Sequence, residues 1–401
     1  MIAADSALGI YISVPFCRSK CTYCNFASGV YPAAEHARYV ERLVEDLTGA
    51  RAWAESLGAE LPRRADTVYL GGGSPTLLSP GQLARIFSAL RAEFDLDSDA
   101  EITMECAPGQ LPDEMLGALA AAGVNRVSLG VQSFVDSEAR LSGRLHSRSI
   151  VETDIARLRA AGIANLNVDL IAGLAGQTLA SFDESLAALI GCGAPHASIY
   201  MLEVDEDSRL GRELLAHGSR YGAALVPADD AIARMYERAI ERLAAAGLPQ
   251  YEISNFARHG FESRHNLRYW QRRPYLGAGL DASSMLQAAG SPNVLRATTT
   301  DSLSAYLAGP VIAESSWLPP QRRHEEAWFL GLRTNAGVRV SALEGEFGRA
   351  MVQPALDTAA RLASGDLLVR DGDSVRLTAR GRLISNDVFQ EFLAPEPAQT
   401  L

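Results

Sequence analysis

The chain has 401 residues, 47% of them hydrophobic and 21% charged, an ordinary globular mix with room for one large domain and one or two smaller ones. No uninterrupted apolar stretch approaches the roughly 20 residues of a membrane span, and a net charge of −11 argues against general affinity for nucleic-acid phosphate or anionic lipid. Five cysteines are a low and odd count for this length, and no hydrophobic signal peptide precedes the first of them, which points to reduced thiols in the cytosol rather than a disulfide framework.

The first predicted strand, residues 9–16, runs directly into Cys17, Cys21 and Cys24, spaced C-x3-C-x2-C. Three thiolates are one short of a closed four-thiolate site, so an iron–sulfur cluster held here would leave one iron open to another ligand. Structural zinc completed by an outside ligand such as His36, or thiols that merely pack, stay open as alternatives.

Further strands are predicted at residues 67–70, 101–105, 126–131, 166–171 and 197–202, alternating with helix-period segments. Ser79 before Pro80 is a cap signal for a helix that carries Leu83, Ile86, Phe87 and Leu90 at helical spacing, and Asp113 and Glu114 open the next helix with acids in its first turn. Gly123 and Gly162 each end a helix ahead of the following strand. Six such units predict an α/β fold in which the parallel strands close partly into an incomplete (β/α)6 barrel, with the functional loops at their carboxyl ends. The cysteine loop, the glycines Gly71, Gly72 and Gly73, Glu105, Gln132 and Asp169 all fall at or near such ends. Three consecutive glycines let the backbone approach a ligand closely, although alone they could equally make a strand-ending turn.

Beyond residue 205 the rhythm changes. A helix is predicted from about Asp229 to Ala246, followed by the polar and aromatic run HNLRYW at residues 265–270. Near the C-terminus, Asp371 and Gly372 signal a tight hairpin turn, and a helix carrying Leu383, Ile384, Val388, Phe389 and Phe392 on one side follows. The expected division is a barrel over residues 1–228, a connecting region over 229–320, and a smaller α+β unit of winged-helix-like character over 321–401 that packs on the barrel. Arg322, Arg323 and His324 form one small basic cluster, read as a solvated helix start.

The string PFCRSKCTYCNF at residues 15–26, with Tyr11 six residues before Cys17 and GGGSPT at 71–76, resembles the radical S-adenosylmethionine enzymes. In that family three cysteines hold a 4Fe–4S cluster, the amino and carboxylate groups of S-adenosylmethionine chelate the fourth iron, and reduction cleaves the sulfonium to a 5′-deoxyadenosyl radical. MECAP at 104–108, SLGVQSF at 128–134, GRLH at 143–146, NVDLIAG at 167–173, HNLRYW, and LTARGRLISN at 377–386 further resemble the oxygen-independent coproporphyrinogen III oxidase family, in register from about residue 8 to residue 386. The true oxidase branch has a further cysteine two residues after the triplet, where this chain has Phe26. Phenylalanine there, together with an H-N-x-x-Y-W run, resembles the HemW-type heme chaperone branch.

That resemblance implies Cys17, Cys21 and Cys24 as cluster ligands and Tyr11, Gly72, Gly73, Ser74 and Glu105 as contacts of S-adenosylmethionine. Tyr23, Gln132, Arg144, Asp169 and Glu203 match positions used around a second S-adenosylmethionine in the oxidase branch. Glu203 departs from the small residue expected there, and Ala175 stands where a proline is usual. For heme, His265 offers an imidazole nitrogen, with Tyr269 and Trp270 as flat apolar surface beside it, while His146 and His259 are weaker candidates. The implied function is a heme chaperone serving heme-accepting proteins, supplied by an electron donor, with no nucleic-acid partner and with transient docking to a membrane protein. The alternatives are a coproporphyrinogen oxidase and a zinc-stabilised scaffold.

Overall fold

The computed structural model describes residues 7–309 and 312–394. Strand β1 (Leu8–Val14) is followed by the long helix Ala33–Ser56, the two-residue strand β2 (Ala59–Glu60), and then β3 (Arg64–Gly72), β4 (Asp95–Cys106), β5 (Arg126–Gln132), β6 (Asn165–Ala172) and β7 (His196–Met201). The six long strands pair in parallel in the order β1, β3, β4, β5, β6, β7, with helices in the crossovers. Parallel neighbours need such crossovers, and the helices cover the sheet's outer face.

The helix Pro80–Glu93 starts at a capping box, in which the Ser79 hydroxyl accepts from the Gln82 N–H and the Gln82 side chain accepts from the Ser79 N–H at 2.8 Å. Its residues Leu83, Ile86, Phe87 and Leu90 are buried, as their spacing predicts. Helix Asp113–Ala122 ends on Gly123 at φ +81°, which glycine adopts at little steric cost.

The segment without βα rhythm extends this same sheet at both edges. β8 (Asn255–Ala257) lies antiparallel on β7, while β9 (Tyr275–Ala278) lies parallel on β1. β10 (Ser283–Ala288), β11 (Val294–Thr299) and β12 (Ile312–Leu318) continue outward from β9 as an antiparallel meander. The two end strands, β8 and β12, do not pair with each other, so the sheet stays open.

The short helix Arg264–Trp270 packs against β3 and β4 toward their amino ends. Glu101 accepts from the backbone N–H groups of Arg264 and His265, both at 3.0 Å, an anion at a helix N-terminus. Arg268, fully buried, is ion-paired with Asp66 and donates to the carbonyls of Ala7 at 2.7 Å and Pro274 at 3.1 Å. Gly9 makes this route possible, since a Cβ there would stand 2.4 Å from Arg268 Cδ.

The C-terminal unit has its own core. Antiparallel strands β13 (Val338–Arg339), β14 (Leu368–Asp371) and β15 (Ser374–Leu377) pack with helices Pro320–Leu332, Val340–Phe347 and Arg349–Ser364 around Trp328, Val352, Leu362, Val375 and Phe389. Trp328 stacks on Phe392 at a centroid distance of 4.9 Å.

Three local expectations are corrected here. Asp371 pairs with Ser374, so the hairpin turn is centred on Gly372 and Asp373, with Gly372 at φ +59° in the first central position of a type II′ turn. The last predicted helix is two short ones, Ala379–Leu383 and Ser385–Gln390, broken at Ile384. Arg323 and His324 are not solvated: Arg323 donates to Glu346 at 2.9 Å and His324 Nε2 accepts from Trp328 Nε1 at 3.0 Å, both side chains being buried.

Candidate functional site

The cysteine loop is tied down on both sides. The Cys17 N–H donates to the Gly29 carbonyl at 2.8 Å and the Gly29 N–H to the Pro15 carbonyl at 2.9 Å, closing the loop on itself. The Thr22 N–H donates to Ser142 at 3.1 Å, and the Leu210 N–H donates to Thr22 at 2.8 Å. The glycine run threads beneath it: Gly73 and Ser74 donate to the carbonyls of Val14 and Phe16 at 2.8 and 2.7 Å. A Cβ at Gly73 would stand 2.6 Å from the Phe16 oxygen, and Gly72 needs φ +97°, so both positions require glycine.

Above the carboxyl ends of the parallel strands lies a cavity of about 780 Å³. It brings together Cys17, Cys21, Cys24, Tyr23, Gly72, Gly73, Ser74, Glu105, Gln132, Arg144, Asp169 and Glu203. Glu105 is aimed by its neighbours, accepting from the Tyr69 hydroxyl at 2.8 Å and the Gly72 N–H at 3.1 Å. Burial pushes its carboxyl up to about 7 against those hydrogen bonds. Asp169 accepts from Asn167 Nδ2 at 2.6 Å and Ser128 Oγ at 3.1 Å, and burial raises it as well. Burial works against the Arg144 charge, but Tyr23, Cys21 and Asp169 around it outweigh that and raise the guanidinium above its usual value.

Among the described residues, several buried polar atoms behind this wall have no hydrogen-bond partner. They are Ser28 Oγ, Gln110 Oε1, Gln132 Oε1, Arg144 Nε and His146 Nε2, all on residues that line the cavity. These atoms are themselves buried, so they lie behind the cavity wall and not on its surface. Gln132 holds a left-handed backbone at φ +69°, an uncommon conformation for a residue with a side chain.

Six predicted residues lie elsewhere. Tyr11 stacks on Tyr69 at 6.1 Å and stands behind Gly72, backing the glycine loop instead of lining the cavity. His265 is buried inside the barrel, with Nδ1 on Thr67 Oγ1 at 2.9 Å and Nε2 on the Tyr269 hydroxyl at 2.8 Å. Both ring nitrogens are thus engaged within the protein, and burial holds the imidazole pKa down to about 3. Tyr269 is its partner, and Trp270 faces the C-terminal unit, with the Arg333 guanidinium 4.3 Å above its ring. His259 is exposed beside Glu262. His36, the outside zinc candidate, stacks on Phe16 at 3.7 Å and does not line the cavity.

The cavity also takes residues that sequence reasoning left aside. Ser28 and Gln110 lie near recognised motifs, but nothing in their spacing marked them. Leu383, Ile384, Ser385, Asn386 and Asp387 form one wall, so the C-terminal unit shapes the site as well as packing on the barrel. The only signal for this in sequence was the LTARGRLISN run, whose placement depends on the docking of two cores.

Comparison with known proteins explains the assembly. The Radical SAM superfamily model matches residues 11–189, and the HemN C-terminal domain model matches residues 318–384. The heme chaperone HemW of Lactococcus lactis subsp. lactis is 33% identical over 389 residues, 96% of either chain. This chain belongs to the HemW family. Similar HemW-family relatives include the heme chaperone of Escherichia coli, 31% identical over 96% of this chain and 98% of that one. The mouse mitochondrial radical S-adenosyl methionine domain-containing protein 1 is 33% identical over 84% of this chain and 75% of its own. The coproporphyrinogen III oxidase HemN from Escherichia coli superposes with a TM-score of 0.80 over 96% of this chain and 90% of that chain, at 23% identity, a likeness of fold.

Membership of this superfamily implies a 4Fe–4S cluster and S-adenosylmethionine, and the residues fit both. Among the described residues no group of His, Cys, Asp or Glu is arranged to hold a single metal ion. A four-iron cluster asks for something different, thiolates placed around a shared space, each on its own iron. Cys17, Cys21 and Cys24 are free thiols on a common cavity, and Cys106, which also lines it, is buried with its Sγ directed at the Ala107 carbonyl at 3.5 Å. When bound, the pair supplies one-electron cleavage of a sulfonium. Gly72 and Gly73 leave room for close backbone approach, and Glu105 and Asp169 offer acceptors for polar groups of the ligand.

Proposed function

We propose that this HemW-family chain is a heme chaperone, holding a 4Fe–4S cluster and S-adenosylmethionine on the strand-end rim and passing heme to acceptor proteins. The observation that carries this reading is the 33% identity to a heme chaperone along 96% of both chains. Phe26, exposed at the cavity where the oxidase branch resembles this chain but has a further cysteine, supports it.

In this reading Cys17, Cys21 and Cys24 hold the cluster and Gly72, Gly73, Ser74 and Glu105 seat the cosubstrate, while Tyr23, Gln132, Arg144, Asp169 and Glu203 line the remaining space. An outside donor reduces the cluster. No helix among the described residues is long and apolar enough to cross a membrane, and the chain works in the cytosol, docking transiently on membrane-bound acceptors through its C-terminal unit.

Two measurements test the proposal. Hemin titrated into the reconstituted full chain should bind, and the loaded protein should transfer heme to an apo-cytochrome. Reduced protein incubated anaerobically with S-adenosylmethionine and coproporphyrinogen III should form little protoporphyrinogen. Robust turnover in the second assay would overturn the chaperone reading in favour of the oxidase.

A further inference from the structure

Asp169 meets the cavity from β6, and strand register decides what stands behind it. Ser128 on β5, Asn167 on β6 and His196 on β7 are cross-strand neighbours, as are Asp169 on β6 and Ser198 on β7. Residues two apart on a strand share a face, so these five side chains stand together on the inner face of the sheet. Val127, Leu129, Val168 and Ala197, which alternate with them, enter the hydrophobic core.

The hydrogen bonds run in one direction through this group. The Ser263 N–H can only donate, and it donates to the Tyr251 hydroxyl at 3.1 Å. That hydroxyl's own proton is then free for His196 Nε2 at 2.9 Å. Burial, with the Arg126 charge nearby, holds His196 well below its ordinary pKa, so the ring is neutral and its single proton sits on Nδ1, 2.6 Å from Asn167 Oδ1. Asn167 Oδ1 also accepts from Ser198 Oγ at 3.2 Å. With the oxygen claimed on that side, the amide turns Nδ2 to Asp169 Oδ1 at 2.6 Å and to Ser128 Oγ at 2.7 Å, and the Ser128 hydroxyl donates in turn to Asp169 Oδ2 at 3.1 Å. The far end demands the same order, because a flipped amide would set its oxygen against the carboxylate. His196 is fully buried and stands off the cavity, whereas Asp169 is partly exposed and lines it.

We propose that His196 is a positioning residue which, through Asn167, holds Asp169 as an oriented hydrogen-bond acceptor for an ammonium or ribose hydroxyl of S-adenosylmethionine. This rests on the reading of the cavity as the seat of that cosubstrate. His196 touches no ligand itself; its Nδ1–H fixes which way the Asn167 amide faces, and the amide fixes the carboxylate.

The test exploits the shapes of two amides. Asparagine in place of His196 carries a donor near the position of Nδ1, while glutamine carries one near Nε2 and leaves Asn167 without its partner. Calorimetric titration of S-adenosylmethionine into the reconstituted full chain compares wild type, His196→Asn, His196→Gln, Asp169→Ala and the double variant His196→Gln/Asp169→Ala, with circular dichroism and iron content confirming fold and cluster. His196→Asn should bind within about twofold of wild type. His196→Gln and Asp169→Ala should each bind roughly fivefold or more weakly, near the scale of one hydrogen bond to a charged group. In the double variant the glutamine should add less than about twofold, because its effect passes through a carboxylate that is no longer there. Should His196→Gln fold poorly, Asn167→Leu, which removes the relaying amide, takes its place in the cycle with the same expectation. Wild-type affinity in His196→Gln or in Asp169→Ala would overturn the proposal. Losses that multiply in the double variant, or an asparagine variant as weak as the glutamine one, would also overturn it and give His196 a purely structural role. Failure of the wild type to bind S-adenosylmethionine would instead remove the cosubstrate reading on which the proposal stands.

Discussion

Glu105 illustrates how one side chain is tuned by what surrounds it. Its folded pKa, near 7, exceeds the ordinary value of 4.5 because burial penalises the charge. A raised carboxyl contributes stability that is fully present below the unfolded value and is lost as pH rises through the folded one. The wild type should therefore lose stability relative to Glu105→Gln between pH 4.5 and about 7, as read by thermal unfolding at a series of pH values. A pH-independent difference would contradict the tuning. Gly73 makes a second prediction at this scale. A methyl group there meets the Phe16 carbonyl at 2.6 Å, so Gly73→Ala should displace the cysteine loop and cut bound iron after reconstitution to under half the wild-type content. The cysteines, glycines and most rim residues were legible in sequence because chemistry restricts which residue types can serve there. The placement of His265 was not, since an aromatic run reads the same whether it faces a cavity or a barrel interior.

At the scale of elements, the helix Arg264–Trp270 depends on a buried charge pair. Arg268 is wholly inside and leans on Asp66, which also accepts from Arg273 at 3.0 Å. Removing the carboxylate strands a buried guanidinium, and Asp66→Ala should cost about 3–5 kcal/mol in urea unfolding. A loss below 1 kcal/mol would mean that the carbonyls of Ala7 and Pro274 alone satisfy Arg268. The six parallel strands were readable because β-branched runs alternate with capped helices, a local signal. The edge strands β8 to β12 were not, because their short or half-exposed segments are defined only by the neighbour they pair with. The break at Ile384 is of the same kind: Leu383 packs against the barrel core, Val388, Phe389 and Phe392 enter the second core, and Ile384 between them lines the cavity.

For the whole molecule, the consequential feature is that two cores share one site. Arg333 bridges them, its guanidinium 4.3 Å from the Trp270 ring and 6.0 Å from that of Phe389, while its carbonyl accepts from the Ile253 N–H at 3.1 Å. Arg333→Ala should loosen the C-terminal unit with little effect on the barrel. Hydrogen exchange should quicken in residues 320–394, and hemin affinity should fall several-fold because one wall of the cavity is no longer held. Unchanged exchange would show that the ion pair of Glu346 with Arg272, at 2.8 Å, suffices to dock the unit.

By itself, the sequence determined the α/β class, the order of the six parallel strands along the chain, and the chemistry of the cysteine and glycine loops. These follow from periodicity, turn chemistry and the few residue types able to bind a cluster, all of which act over short stretches of chain. Only the tertiary structure decided that His265 turns inward and that residues 383–387 close the cavity. Those outcomes depend on which buried polar groups find partners across the barrel and between the two cores, and such pairings join residues more than a hundred positions apart.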